Sequence, residues 1–164
     1  MPSESKNTLT SDESLLTRPG HLIRRAQQIA VSMFLEEISG VDLTPVQYAA
    51  LVAIRDHPGI DATRLSQIVA FDSSTLGSVL ERLEGKGLIT RTADPADRRI
   101  KLLDLTDAGA ELIIRVAPAV RRTQERILEP LSPEDRHTFM TLLAQLVDVN
   151  NAASRVPLGA LAKR

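Results

Sequence analysis

Apolar residues recur at helical spacing through most of the chain, starting near Pro19. The first such stretch has two adjoining apolar stripes, formed by Leu22, Ala26, Ile29 and Met33 and by Ala30, Phe34 and Ile38. Spacings of three, four and seven residues place each stripe on one face of an α-helix. Together the stripes make a broad apolar face, and Gly40 is a suitable residue to follow the helix end. The pattern therefore predicts an amphipathic helix from about Pro19 to Gly40.

Capping residues divide the middle of the chain into short helices. Residues 44–47, Thr-Pro-Val-Gln, have the pattern of a capping box with proline in the first turn, and His57-Pro58-Gly59 ends that helix. Asp61 caps a second helix, and Asp72 or Ser73 caps a third. The inward-facing residues of these two helices are predicted to be Leu65, Ile68 and Val69 and then Leu76, Val79, Leu80 and Leu83. Two short helices joined by a few residues predict a helix-turn-helix.

The hydrophobic period changes after Gly87, where the third short helix ends. Residues 88–91 and 100–105 are predicted to be strands, and Ile60 a single extended residue. Pro95 and two aspartates make the segment between the strands a turn. A strand–turn–strand directly after a helix-turn-helix is a wing, so the centre of the chain is predicted to be a winged helix-turn-helix.

Two more helices are predicted after the wing. Thr106 caps one that runs to about Leu128 with a bend at Pro118, and Ser132 caps the last, which ends near Asn150. The apolar face of the last helix is formed by Phe139, Leu142, Leu143 and Leu146. The predicted fold class is therefore mainly α with a small β-wing: a winged helix-turn-helix plus N- and C-terminal dimerisation helices.

The apolar faces also predict how the chain is divided. Residues 1–17, rich in Ser, Thr, Asp and Glu, are predicted to be a flexible N-terminal arm. Residues 42–106 form the DNA-binding winged helix-turn-helix, and residues 18–41 and 107–154 form dimerisation helices. A unit of about 65 residues is too small to cover the apolar sides of three flanking helices. We therefore expect those helices to pack on each other and on a second copy of the chain, as a homodimer.

The charge balance complicates a DNA-binding interpretation. The 164 residues carry a formal net charge of -1, whereas a basic domain is the usual footprint of a nucleic-acid binder. Net charge does not describe how charge is distributed, however. Between residues 91 and 101, four cations stand against two carboxylates, so the predicted wing is locally basic.

Several classes of function are excluded by composition and motifs. The chain has no Cys, which excludes disulfides, cysteine-ligated zinc, iron–sulfur clusters and thiol nucleophiles. Three Phe, one Tyr and no Trp leave few rings for stacking on single-stranded bases. The three His are dispersed, and neither a P-loop nor a GxSxG elbow is present. We predict no enzyme, no cofactor and no metal. Without a signal peptide or a membrane span in the sequence, we expect a cytoplasmic protein with no membrane partner.

The second helix of the helix-turn-helix has a polar face opposite its apolar one. This face is formed by Ser73, Ser74, Thr75, Ser78 and Arg82. Hydroxyls and a cation near the N-terminus of a recognition helix can reach phosphates or base edges in the major groove. Alternatively, the serines only cap the helix and the other residues are solvated.

The wing adds a second set of candidate DNA contacts. These are Arg91, Asp97, Arg98, Arg99 and Lys101. An arginine at the tip of a thin hairpin fits a narrow minor groove, where the negative potential is enhanced. The spacing of Asp97 and Arg99 predicts that this carboxylate orients one guanidinium while the other arginine reaches out. The alternative is an ordinary charged hairpin.

The motifs of this central region resemble those of the MarR family of bacterial winged-helix transcriptional regulators. They are LTPVQYAAL at 43–51, LEGKGLITR at 83–91, DPADRR at 94–99 and LTDAG at 105–109. The resemblance spans roughly residues 20–150 and extends to the branch that controls aromatic-acid degradation. It implies a homodimer whose first and last helices interlock and whose two winged helices bind a palindromic operator.

The resemblance also implies roles for particular residues. The wing signature of the family falls on Asp97 and Arg99, the basic tip on Arg98, and the recognition helix on residues 73–84. One departure is Gly77-Ser78, where many members have a hydroxyl residue followed by Arg or Lys. A bidentate guanine contact from that position is absent, which shifts base readout to Ser74, Thr75 and Arg82.

Members of the family typically bind a small aromatic or phenolic anion between the dimerisation helices and the winged helix. The polar candidates here are His21, Arg24 and Arg25 on the first helix and Gln47 and Tyr48 on the second. An imidazole and guanidinium groups three and four residues apart suit a carboxylate, and the Tyr48 hydroxyl can orient a ring. Alternatively, the arginines are solvated or pair across the dimer, Gln47 only completes a capping box and Tyr48 is a core residue.

The predicted function is a homodimeric repressor that binds a palindromic operator in double-stranded DNA and is released by an aromatic carboxylate or phenol. Two alternatives are a winged-helix protein-interaction module and an effector-independent DNA-binding regulator. Without cysteine, sensing by thiol oxidation is excluded.

Overall fold

The computed structural model describes residues 15–159. The helices are α1 (Pro19–Glu37), α2 (Pro45–Asp56), α3 (Ala62–Val69), α4 (Ser73–Gly85), α5 (Asp107–Leu128) and α6 (Pro133–Val149), and the strands are β1 (Ile60–Asp61), β2 (Ile89–Ala93) and β3 (Lys101–Leu105). Single 3-10 turns precede α1 and follow α6, at Leu15–Thr17 and Asn151–Ala153. The predicted N-terminal arm lies outside the described residues apart from the first of these turns.

Five of the six α-helices, α2 to α6, begin directly after a residue that the sequence predicts to cap them. Thr44 Oγ1 accepts the backbone N–H of Gln47 at 3.3 Å, and Gln47 Oε1 accepts that of Thr44 at 3.1 Å, which completes the capping box of α2. The side chains of Asp61, Asp72, Thr106 and Ser132 cap α3, α4, α5 and α6. Only the end of α1 differs from the prediction. Its C-cap is Ile38 because a tightened last turn joins Ser39 N–H to the Glu36 carbonyl, and Gly40 lies two residues further on.

The wing belongs to a three-stranded antiparallel sheet in the order β1-β3-β2. Leu103 lies at its centre, opposite Arg91 of β2 on one side and Ile60 of β1 on the other. The sequence predicts the hairpin but not its pairing with β1, because one extended residue between two helices has no pattern of its own. The prediction that the chain is mainly helical with a small β-wing is confirmed.

A single apolar core joins the winged helix to parts of α1 and α5. The side chains of Leu51, Ile54, Leu65, Leu83 and Leu103 are almost fully buried. The same core takes in Phe34 and Ile38 from α1 and Leu112, Ile113 and Val116 from α5. α1 and α5 therefore share one hydrophobic core with the winged helix. The division of the chain into domains at residues 42 and 106 stays a prediction.

α6 has no buried residue in the single chain. Its apolar side chains are all exposed, including Phe139, Met140, Leu142, Leu143, Leu146, Val147 and Val149. Leu143, at 37% exposure, is the most covered of them. Leu22, Ile23 and Ile29 of α1 are about half exposed as well. Contiguous apolar surface of this kind marks an interaction site.

The segment after α6 returns to the winged helix. Asn151 holds it in a loop, because its side-chain amide donates to the Leu158 carbonyl at 3.3 Å and its Oδ1 accepts the Leu158 N–H at 2.8 Å. The Gly159 N–H then donates to the carbonyl of Gln67, in the last turn of α3, at 2.9 Å. This bond satisfies a carbonyl that the helix itself leaves without a donor.

Gly109 marks a close approach between α5 and the turn that joins α4 to β2. A Cβ at this position would lie 2.2 Å from the Leu88 carbonyl oxygen and 3.1 Å from the carbon of that carbonyl group.

Since the atoms that such a Cβ would meet belong to the backbone, Gly109→Ala should destabilise the protein by about 3 kcal/mol. Gly77→Ala is the control, because a Cβ there meets nothing within 4 Å and alanine in a helix interior should gain about 0.5–1 kcal/mol. Urea unfolding at one protein concentration measures both, and equal effects would contradict the packing described here.

Candidate nucleic-acid interface

The recognition helix α4 shows the division of faces that its sequence predicts. Leu76, Val79, Leu80 and Leu83 are buried. The predicted DNA-facing residues Ser73, Ser74, Thr75, Ser78 and Arg82 are all exposed. The helix thus presents a continuous polar surface that is anchored from behind by four aliphatic side chains.

The N-terminus of α4 is organised by one carboxylate. Asp72 accepts the backbone N–H groups of Ser74 at 3.1 Å and Thr75 at 2.9 Å, and also both of their hydroxyls at 2.8 Å. The bond from the Thr75 backbone, followed by those from the two hydroxyls, holds the pKa of Asp72 far below its usual range. The hydroxyl hydrogens of Ser74 and Thr75 are therefore occupied, and these residues present acceptor lone pairs outward.

The lowered pKa of Asp72 makes helix α4 sensitive to acid. A carboxylate whose folded-state pKa is depressed stabilises the fold above its unfolded-state pKa, about 3.9, and loses that contribution as pH falls through the folded-state value. Asp72→Asn keeps a capping side chain without the titration. We expect the thermal midpoint of the wild type to exceed that of Asp72→Asn near neutral pH, with the gap closing below about pH 4. Thermal unfolding from neutral to acid pH measures this, and a constant gap would exclude Asp72 as the titrating group.

The wing tip pairs one arginine and leaves the other without an ionic partner. Arg99 donates from Nε and Nη2 to the two oxygens of Asp97, each at 3.0 Å. This bidentate bond lowers the pKa of Asp97 and is the pairing predicted from the spacing. Arg98 is exposed, and no carboxylate among the described residues pairs with it. The guanidinium of Arg99 is thus held in place by Asp97, and that of Arg98 is available to an external anion.

Acidic side chains of the winged helix are mostly engaged. Asp61 and Asp72 cap helices, and Asp104 accepts the Gly59 N–H at 2.8 Å. Ion pairs with cations take up Asp42, Asp56, Glu84 and Asp97. By contrast, four cations of residues 42–106 form no ion pair within the described chain: Arg64, Arg82, Arg98 and Lys101. The net charge of -1 is therefore compatible with a cationic surface on the winged helix. These four cations are available to a ligand, whereas most of the nearby carboxylates are already paired or hydrogen-bonded.

Arg91 and Lys101 lie where the wing joins the winged helix. The Arg91 side chain is 25% exposed, and its Nε lies 3.0 Å from Glu84 Oε2. Neither Nε nor Nη2 of Arg91 has a hydrogen-bond partner of good geometry in the described structure, so its contact with Glu84 is ionic rather than directed. Lys101 is exposed at the start of β3.

The predicted effector residues have different surroundings. His21 Nδ1 and Arg24 Nη2 are 3.4 Å apart on α1, while Arg25 donates to Gln28 Oε1 at 3.2 Å. Tyr48 packs against Phe34 with ring centroids 6.0 Å apart. Gln47 is 2% exposed and bonds Thr44 and Lys86. The structure thus brings His21 and Arg24 together, whereas Gln47 lines a cavity of about 440 Å³ beside α4.

Two features of the site have no signal in the sequence. Arg126 donates to Glu37 Oε1 at 2.9 Å and to Glu36 Oε2 at 3.0 Å, and Arg122 donates to Glu37 Oε2 at 2.8 Å. The hydrogen bond from Arg122, followed by that from Arg126, lowers the pKa of Glu37. Together with the bond to Glu36, these contacts fix α1 against α5. Arg64 of α3 lies beside the wing. Both depend on residues far apart in the chain, which periodicity does not relate.

Residues 15–159 contain no cluster of His, Cys, Asp or Glu arranged to hold a metal ion. In the same part of the chain, no helix combines the length and apolar character needed to cross a bilayer.

The three-stranded sheet, the exposed polar recognition helix and the basic hairpin define a winged-helix DNA-binding fold. The MarR family model matches residues 43–101. The HTH-type transcriptional repressor NicR of Pseudomonas putida is 31% identical over 156 residues, which cover 91% of this chain and 99% of NicR. The chain belongs to the MarR family of transcriptional regulators.

Two solved structures extend the similarity to three dimensions. BpsR of Bordetella bronchiseptica, whose DNA binding is regulated by 6-hydroxynicotinic acid, gives a TM-score of 0.77 and 32% identity over 82% of this chain and 96% of BpsR. The transcriptional repressor CouR, bound to a 23-mer DNA duplex, gives a TM-score of 0.75 and 31% identity over 81% of this chain and 94% of CouR. The predicted family and winged-helix fold are confirmed. Because the relatives are transcriptional regulators and not enzymes, the prediction that this chain is no enzyme is confirmed as well.

Proposed function

We propose that the protein is a homodimeric repressor that binds a palindromic operator and is released by a small aromatic, anionic effector. The observation that carries the DNA-binding part is the exposed polar face of α4. On the same winged helix, Arg64, Arg82, Arg98 and Lys101 form no ion pair within residues 15–159, and most carboxylates are engaged elsewhere. CouR, which shares the fold, was solved on duplex DNA.

In this proposal α4 enters a major groove and the wing reaches the adjacent minor groove. The DNA contacts are Ser73, Ser74, Thr75, Ser78 and Arg82 on α4, and Arg91, Arg98, Arg99 and Lys101 on the wing. Because Asp72 binds the hydroxyl hydrogens of Ser74 and Thr75, their oxygens are suited to accept from base amino groups such as cytosine N4 or adenine N6. Asp97 acts by orienting Arg99 rather than by touching DNA.

The dimer follows from the apolar surface that the single chain leaves exposed. A second copy that covers α6 and the outer face of α1 buries the side chains of Leu142, Leu146 and Ile29. A two-fold axis then presents two copies of α4 about one helical turn of DNA apart, roughly 34–36 Å. The operator is therefore expected to be a palindrome. Since the proposed partner is bacterial genomic DNA, we place the protein in the cytoplasm.

The effector proposal rests on the adjacent imidazole and guanidinium of α1. His21 and Arg24 together offer donors that match a carboxylate. Tyr48 packs against Phe34, which lies about 15 Å further along α1 than Arg24, so its ring and hydroxyl are proposed as a separate contact. BpsR responds to 6-hydroxynicotinic acid, an aromatic carboxylate. An effector that favours a dimer geometry unsuited to the operator lowers DNA affinity, and by linkage DNA lowers effector affinity by the same factor.

Calorimetric titration with aromatic carboxylates, 6-hydroxynicotinate included, tests the effector site. Arg24→Gln should weaken carboxylate binding about tenfold, the loss of one charge-assisted hydrogen bond, and should leave neutral phenols unaffected. Arg115→Gln, which removes an exposed cation of α5, is the control. If no aromatic acid binds the wild type or shifts its DNA affinity, the regulator is independent of an effector.

A further inference from the structure

A cleft of about 550 Å³ separates α3 from the base of the wing. Its polar lining consists of Arg64, Arg91, Arg99 and Lys101, with Asp61 and Thr63. We propose that this basic cleft, defined by its four cations, holds a backbone phosphate of the operator, and that Arg64 of α3 is a DNA contact in its own right. The proposal rests on the DNA-binding function proposed above and assigns a third DNA-contacting element besides α4 and the wing tip.

The pairing of β2 with β3 places two of the cations on one face. Arg91 lies directly opposite Leu103, and directly opposed residues of an antiparallel pair point to the same side. Lys101 precedes Leu103 by two residues on β3 and therefore shares that side as well. Leu103 is 1% exposed and belongs to the core, whereas Lys101 is exposed. Along this face the apolar core thus gives way to cations at the entrance of the cleft.

Arg64 supplies the opposite wall. It lies in the first turn of α3, where its backbone N–H donates to Asp61 Oδ1 at 2.9 Å. Its side chain makes no ion pair or hydrogen bond within the described chain. Asp61 is the one carboxylate in the lining and is occupied by the helix cap. Since Arg91 and Arg99 are paired with Glu84 and Asp97, the unpaired positive charge of the cleft comes from Arg64 and Lys101.

Arg91, which also lines the cleft, has unused hydrogen-bonding capacity. Its Nη2 is buried and has no acceptor within the described structure, and Nε has only the ionic contact with Glu84. A buried donor without an acceptor costs free energy, which an incoming anion can recover. A small reorientation of the guanidinium toward the cleft would present these N–H groups to an anion.

The position of the cleft favours a DNA phosphate as the anion. Leu80, on the inner face of α4, and Ile100 of the wing both line it, so the cleft lies where the base of the wing packs against the helix-turn-helix. The sugar-phosphate strand that separates two adjacent grooves must pass between these elements. Arginine and lysine are the side chains that neutralise such phosphates. An apolar ligand would instead have to desolvate four cations.

The test compares salt dependence of binding to an operator selected from random duplexes. Arg64→Gln should weaken binding about thirtyfold at 0.15 M salt and lower the slope of log K against log salt by about two, since a dimer loses one phosphate contact per half-site. Arg64→Lys should keep the wild-type slope. Arg115→Gln removes an exposed cation outside the winged helix and should change neither quantity. Circular dichroism establishes that each variant is folded.

A methylphosphonate scan of the operator locates the contact. Neutralising the phosphate in the basic cleft should weaken the wild type but have no further effect on Arg64→Gln. If the wild type binds and Arg64→Gln retains its affinity and slope, the cleft proposal is wrong while the DNA-binding function stands. If the wild type binds no DNA sequence at any salt concentration, the proposed function itself is wrong and the cleft proposal falls with it.

Discussion

Replacing Arg98 and Arg99 together by alanine should reduce operator affinity about a thousandfold at 0.15 M salt, the loss expected if each of the four arginines in a dimer displaces about one counterion. Arg98 at the wing tip forms no ion pair within the described part of the chain, and Arg99 is held by Asp97, so the pair combines an available cation with an oriented one. The slope of log K against log salt should fall by about three to four. Fluorescence anisotropy across a salt series measures both quantities.

The matched control for the wing variant is the double substitution Arg115→Ala and Arg121→Ala. These two arginines of α5 are exposed and form no ion pair within residues 15–159, so the variant removes the same charge from another surface. Its operator affinity should stay within about threefold of the wild type, an allowance for screened long-range effects. Equal losses in both double variants would mean that net charge, and not the wing, determines binding.

Leu143→Asp on α6 should convert the dimer into a monomer. Leu143 lies on the apolar face that we assign to the second copy, and a buried unpaired carboxylate at such an interface is strongly unfavourable. Operator affinity should fall by about two orders of magnitude or more, because each winged helix then binds without the other. Sedimentation equilibrium measures the oligomeric state, and anisotropy measures DNA binding.

Thr141→Asp is the control for the dimer. Thr141 is exposed, and at about 100° per residue it lies between His137 and Gln145 on the polar side of α6, away from the apolar residues of that helix. The variant therefore places the same side chain two positions along the same helix, on its other face. It should remain dimeric and bind the operator. A dimeric Leu143→Asp variant would exclude this face of α6 from the interface.

Features determined by a few consecutive residues follow from the sequence. The capping box at Thr44, the carboxylate cap at Asp61 and the turn that pairs Asp97 with Arg99 depend on side chains two or three positions apart. The apolar spacing of α4 is equally local, and it identifies the face that carries the predicted DNA contacts.

Features that join distant segments do not follow from the sequence. The pairing of β1 with β3, the bonds from Arg126 to α1 and the placement of Arg64 beside the wing all require the tertiary fold. The effector residues show the same division. His21 and Arg24 meet because they are one helical turn apart, while the surroundings of Tyr48 and Gln47 are determined by packing.

Changing the half-site spacing of the operator shows whether a symmetric dimer binds two half-sites at once through α4 and the wing. The measurement is the affinity for the selected palindromic operator, before and after insertion of five base pairs at its centre. Half a helical turn moves one half-site to the opposite side of the duplex, beyond the reach of a rigid two-fold dimer. We expect the affinity to fall by about two orders of magnitude or more, and the salt dependence of the remaining binding to be close to that of a single half-site. Unchanged affinity for the lengthened site would contradict binding to two half-sites at once.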